Sequence, residues 1–200
     1  MSRVSTSERI SASAIAALGL ANFALQIVLS TEKTGSLIGA FHVLTRFFTI
    51  LTNAAIVAVM LRLAIGKRPH PRIMLALITA IAMVGIVYHA ILADLQNFTG
   101  LAAVTDQGFH SVIPVLSAVW WCIFGGRIPV WWSDLAWVLP WPIAYCVYAL
   151  VRGGVTGLYP YPFLDAANIG WAMLAANVAG LALIFVVVGA VFAGIAKLRR

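Results

Sequence analysis

Long apolar runs separated by short polar or Gly/Pro-containing segments organise the chain. Six can be marked: 10–29, 41–65, 73–93, 109–124, 135–151 and 167–196. A hydrocarbon core of roughly 30 Å is crossed by about 20 mainly apolar residues in a helix, so each run reads as a transmembrane span. The fourth is the shortest, with room to begin earlier, near Asp106. Between the runs lie Gly66-Lys67-Arg68-Pro69-His70-Pro71, Gly125-Gly126-Arg127-Ile128-Pro129 and Arg152-Gly153-Gly154, the residues that end helices and form turns. Pro-x-Pro pairs at 69/71, 140/142 and 160/162 fall at unequal spacing and mark no repeat. The predicted fold is all-α: a polytopic membrane protein, one six-helix transmembrane domain over residues 1–200.

Composition removes the soluble alternative. Of the 200 residues, 62% are hydrophobic and 10% charged, against roughly 45–50% and about 25% in a soluble domain. A mean hydropathy of +1.00 cannot be hidden in a globule of this size, which buries only about 70% of its chain surface. Cys122 and Cys146 both lie inside apolar runs, which argues against a disulfide scaffold.

The net charge of +7 would suggest nucleic acid in a soluble protein, but its distribution is a topology signal. Arg3, Arg9, Arg62, Lys67, Arg68, Arg72, Arg127, Lys197, Arg199 and Arg200 flank the N-terminus, the even loops and the C-terminus, whereas only Lys33 and Arg152 flank the other side. By the positive-inside rule both termini are cytoplasmic, in a multi-pass protein of the inner (plasma) membrane. Trp131 and Trp132 fit the inner interfacial belt, and Tyr159 and Tyr161 the outer. Asn22 and Gln26, with no clear small-residue cleavage site, favour a retained first helix over a signal peptide. The implied partners are membrane lipids, not nucleic acid.

With that topology the polar residues gather toward the outer side. Glu32, Asp94, Asp106 and Asp165 lie at or near outer span ends, and His42, His89 and His110 fall in the outer third. An ionisable group at the centre of a span costs roughly 2.5–3.5 kcal/mol on insertion scales and usually faces a cavity or a partner, so several at one depth suggest a hydrated chamber opening outward. In the second span His42, Thr45, Arg46, Thr49, Thr52 and Asn53 follow i, i+3, i+4 spacing and predict one polar stripe. On a continuous helix Thr49 would lie roughly 10 Å along from His42, near the depth of a lipid ester carbonyl. For any single threonine a hydrogen bond to a neighbouring helix is an adequate reading; the whole stripe, with Arg46 in it, points to function.

His110 opens the fourth span with Asp106 one turn earlier, where a carboxylate can orient an imidazole. Pro114 cannot donate to the His110 carbonyl, so the helix either starts near Pro114 or kinks at His110. A histidine capping a helix end is the competing reading. His89, preceded by Tyr88, is more ambiguous still, and His70 sits between two prolines in a cytoplasmic loop.

A threonine hydroxyl becomes a useful nucleophile when a base takes its proton. Thr49 and His110 on facing helices would supply that pair, with Asp106 as the candidate orienter and Asp165 as the alternate. Arg46, Asn53, Tyr88 or Tyr159 could donate to an ester oxygen as charge develops there. This ester-hydrolase reading requires no metal or cofactor. Two others stand beside it. His42, His89 and His110 with a carboxylate could hold zinc in a hydrolase, or two of them haem in a redox protein, although no His-Glu-x-x-His pair is present. Arg46 with Asp94, Asp106 and Asp165 could line a small-solute pathway, although no inverted repeat is visible.

Three segments carry a family resemblance. Arg46-Phe47-Phe48-Thr49-Ile50, Gly108-Phe109-His110-Ser111-Val112-Ile113-Pro114 and Tyr159-Pro160-Tyr161-Pro162-Phe163-Leu164-Asp165 resemble, in that order, signatures of the androgen-induced-gene/ADTRP-like membrane proteins, the bacterial branch most closely. The match runs from about Phe41 to Asn177 and rests on order and spacing. The resemblance implies six spans, cytosolic termini, and hydrolysis of fatty-acid esters of hydroxy fatty acids by a threonine nucleophile and a histidine, which correspond to Thr49 and His110. The chain departs from the pattern where Asp106 replaces a typical amide, where Thr52 replaces an acid, and in shorter loops. These departures bear on which long-chain lipid ester is the substrate rather than on the reaction type. Tyr161-Pro162-Phe163-Leu164 reads equally as a chamber wall or as an interfacial turn.

Overall fold

The computed structural model describes residues 3–95 and 97–199. No strand occurs among them, and helix dominates. The eight α-helices are α1 (Thr6–Thr34), α2 (Leu37–Leu44), α3 (Phe48–Ala64), α4 (Pro71–Val87), α5 (Gly100–Gln107), α6 (Ile113–Phe124), α7 (Pro140–Thr156) and α8 (Ala166–Leu198). Their ends follow local chemistry. Ser5 and Glu8 form a capping box at the start of α1, and Gly35 closes it at φ 74°. Pro71 opens α4, and Asp165 accepts from the Asn168 amide to cap α8.

Two helices run on through wide turns. α4 continues through a π turn, Tyr88–Leu92, to Leu95, and α5 joins α6 through a second π turn, Gly108–Val112. Five helical segments are therefore long and apolar enough to cross a membrane: Thr6–Thr34, Pro71–Leu95, Gly100–Arg127, Trp132–Thr156 and Ala166–Leu198. The fourth run is thus longer than its apolar stretch suggests, because the helix begins at Gly100.

The second run, 41–65, is not one helix. α2 and α3 meet at a 98° bend, so they count as a sixth span only if the broken pair is taken together. The expected continuous stripe is therefore cut. His42 lies on α2, exposed, while Thr49, Thr52 and Asn53 are buried on α3, and the projected 10 Å rise from His42 to Thr49 along one axis does not apply. The bend stands because α7 satisfies the carbonyls that the broken helix frees. Tyr145 donates to the Arg46 carbonyl at 2.7 Å and Tyr148 to the Thr45 carbonyl at 3.1 Å, while Arg152 binds the His42 carbonyl.

The main core lies between α1, α3, α4, α6 and α8, with Met60, Leu63, Leu75, Ile81, Trp120 and Trp121 almost fully buried. Large apolar side chains such as Leu183, Val155 and Ile38 stand exposed on the outside, as expected of a surface that meets lipid rather than water. At one end of the bundle Glu8, wholly buried, pairs with Arg68 at 2.8 Å and Arg127 at 3.0 Å, and Arg72 pairs with Asp134 at 2.9 Å. Arg127 also bonds Ser5, and Lys197 lies over the Trp132 ring, so the start of α1 and the end of α8 sit at this basic end.

Candidate active site

Thr49 stands in the first turn of α3, just after the bend, and is 6% exposed. Breaking the helix at residues 45–47 frees this turn from the stacked residues that would otherwise precede it, and no side chain caps it. His110 sits in the π turn between α5 and α6. Pro114 is accommodated by this turn rather than by a helix start or a sharp kink: the Ile113 N–H reaches back to the Gly108 carbonyl, one residue further than in an α-helix. The His110 carbonyl, which Pro114 cannot serve, faces α4 at Gly85, where an added Cβ would come within 3.2 Å of it. Asn22 of α1 donates to the Thr105 carbonyl at 3.1 Å and packs on Gly108, which holds the turn from the other side.

The two side chains meet. Thr49 Oγ1 lies 3.2 Å from His110 Nε2, within the reach needed for proton transfer. On the far side of the ring, His110 Nδ1 is hydrogen-bonded to the Asp106 backbone carbonyl at 3.0 Å, and the Asp106 carboxylate Oδ1 also lies 3.0 Å away. A carbonyl only accepts, so Nδ1 carries the proton and Nε2 is the acceptor facing Thr49. Tyr88 secures the arrangement twice: its ring stacks on the imidazole, with centroids 4.0 Å apart and planes 13° apart, and its hydroxyl donates to Asp106 Oδ2. Asn53 donates to the carbonyls of Thr49 (2.8 Å) and Phe109 (3.2 Å), tying α3 to the π turn.

The remaining sequence candidates lie elsewhere. Asp165 is occupied at the start of α8, bonded to Asn168, so Asp106 rather than Asp165 faces the imidazole. His89 bonds Ser111 at 2.9 Å, a neighbour of the site but not of Thr49. His42 is on α2, and Tyr159 packs its ring on Gly153. The Arg46 guanidinium lies 5.9 Å over the Phe47 ring, within the bend. Among the described residues no three His, Cys, Asp or Glu side chains converge as a metal-binding group, so the imidazoles expected to share a metal are not assembled. The acids expected to line a solute path with Arg46 are likewise dispersed: Asp106 serves His110 and Asp165 caps α8, and Asp94 lies exposed beyond the first π turn.

Thr49 also borders a cavity of about 280 Å³. Its wall is almost wholly apolar, built by Met83 and Val87 of α4, Ile143 of α7, and Leu181 and Phe185 of α8, and closed by Tyr161 and Leu164 of the loop before α8. Such a space accepts hydrocarbon. Ile143 and Val147 line it and are also more than half exposed on the outer surface of the bundle, which gives the cavity a lipid-facing flank. Burial pushes the Tyr161 phenol up, so it keeps its proton.

The residues that sequence reasoning missed are those holding the bend and the turn: Asn22, Tyr145, Tyr148 and Arg152. Asn22 was visible as a polar residue in an apolar run; the other three resemble ordinary interfacial residues. No family model, curated protein or solved structure matches the chain.

Proposed function

We propose that the chain is an integral membrane hydrolase of long-chain lipid esters, resembling the androgen-induced-gene/ADTRP-like proteins, with six spans, cytoplasmic termini and its catalytic chamber toward the outer side. The observation that carries this reading is the alignment of Thr49, His110 and Asp106 at 3.2 and 3.0 Å beside an apolar cavity. In the acylation step His110 Nε2 takes the Thr49 proton, Oγ1 bonds to the ester carbonyl carbon, and the carbonyl electron pair moves to oxygen. Collapse breaks the bond to the alcohol oxygen, which receives the proton from His110. Water then repeats the sequence against the acyl-threonine and releases the fatty acid. The cavity holds the acyl chain while the ester sits at its polar rim.

A fluorophosphonate probe should label the wild-type protein in membranes, and Thr49→Ala or His110→Ala should abolish labelling. Mass spectrometry should place the adduct on Thr49. Undiminished labelling of Thr49→Ala would remove Thr49 as nucleophile.

A further inference from the structure

The acylation step needs a hydrogen-bond donor at the oxygen that gains charge, and the donors suggested by sequence either bond elsewhere or do not line the cavity. Asn53 spends its amide on two backbone carbonyls, Tyr88 donates to Asp106, and Tyr159 packs on Gly153. Arg46 lies over Phe47 within the bend and, although its Nε is buried without a hydrogen-bond partner, it does not line the cavity that Thr49 borders. One further hydroxyl borders the nucleophile's surroundings. Tyr161, in the loop before α8 and only 9% exposed, packs beside Phe47 and Phe48 at the start of α3, the turn that carries Thr49. Its ring is fixed by a parallel stack on Phe163, 5.1 Å between centroids, and an edge contact with Phe47. Tyr161 and Thr49 also line the same apolar cavity.

We propose that Tyr161 is a catalytic residue whose phenol O–H donates to the ester carbonyl oxygen as Thr49 attacks. This role rests on the esterase reading. The geometry suits it: an acyl chain in the cavity brings its carbonyl to the rim, where Thr49 and Tyr161 both border it. A donor directed at developing charge inside a water-poor site acts chiefly in the transition state. The proton stays on the phenol oxygen throughout; only the hydrogen bond strengthens, and it relaxes when the carbonyl reforms.

The test is Tyr161→Phe, which keeps the ring contacts and removes the O–H. With p-nitrophenyl palmitate in liposomes, kcat should fall roughly 10²–10³-fold, while KM moves by no more than about threefold. If that variant is not recovered folded, a fluorinated tyrosine at 161 keeps the ring and the O–H but makes the hydroxyl a stronger donor, and kcat should shift with KM held. A Tyr161→Phe enzyme with wild-type kcat, a rise in KM alone, or a fluorotyrosine enzyme indistinguishable from wild type overturns the proposal. In each of those cases wild type still hydrolyses the ester and Thr49→Ala does not, so the esterase reading survives. A wild-type protein that neither labels nor hydrolyses overturns both.

Discussion

Thr49 and His110 are 61 positions apart in sequence, and nothing local to either residue announces the other. What is local is the relation of His110 to Asp106, four positions earlier on a helix, where a carboxylate reaches an imidazole. Asp106 has Tyr88 as a second partner, so its carboxyl group cannot rotate away from the ring without losing that bond. In the proposed reaction Asp106 would position the base without touching the substrate. Asp106→Ala should lower kcat by about 10²-fold or more with KM little changed, as expected when a general base loses its orientation. Asp106→Asn should lose much less, because an amide oxygen still accepts from Tyr88 and the backbone carbonyl of residue 106 still holds the Nδ1 proton. Steady-state kinetics on the two variants separates the outcomes; equal losses would mean that charge, not orientation, is what Asp106 supplies.

At the scale of elements, the site is made where regular helix fails. Thr49 comes just after a 98° bend, and both π turns carry site residues, Tyr88 in one and His110 in the other. Each π turn inserts a residue and rotates the next stretch of helix about its axis, which lets Tyr88 and His110 face each other across α4 and the α5–α6 junction. Such turns are frequent at functional sites for this reason. Gly85 is the contact that permits the approach, since a methyl group there would meet the His110 carbonyl at 3.2 Å and Pro114 at 3.3 Å. Gly85→Ala should therefore shift the imidazole, slow fluorophosphonate labelling several-fold, and cost about 1–3 kcal/mol through overpacking. Labelling rate and melting temperature in detergent check the two effects on one sample.

At the scale of the molecule, the bundle separates its polar work. The buried Glu8 pairs and the Arg72–Asp134 pair lie at the end where α1 starts and α8 finishes, while Thr49, His110 and Asp106 lie toward the other. The cavity lies beside Thr49 between α4, α7 and α8, with Met83, Ile143 and Leu181 among its lining. If that space holds acyl chain, filling it should discriminate by length. Leu181→Trp should reduce hydrolysis of p-nitrophenyl palmitate far more than that of p-nitrophenyl butyrate, because only the longer chain needs the volume. An equal loss on both esters would place the chain elsewhere.

The apolar runs, the caps at Ser5 and Asp165, the proline that opens α4 and the Asp106–His110 spacing are written along the chain, because each depends on neighbours within a turn or on the preference of apolar residues for hydrocarbon. The bend could not be read that way. A periodic polar stripe from His42 to Asn53 has the same spacing whether the helix is whole or broken, and here it is broken by carbonyl partners about 100 positions downstream, Tyr145 and Tyr148 on α7. The π turn at His110 likewise depends on Asn22 and Gly85 from other helices, and Tyr161 shares a cavity with Thr49 only because the loop before α8 packs against the start of α3. Sequence pattern thus determined that the chain makes apolar helices. Long-range hydrogen bonding and packing decided where those helices yield, and so which of the polar residues meet.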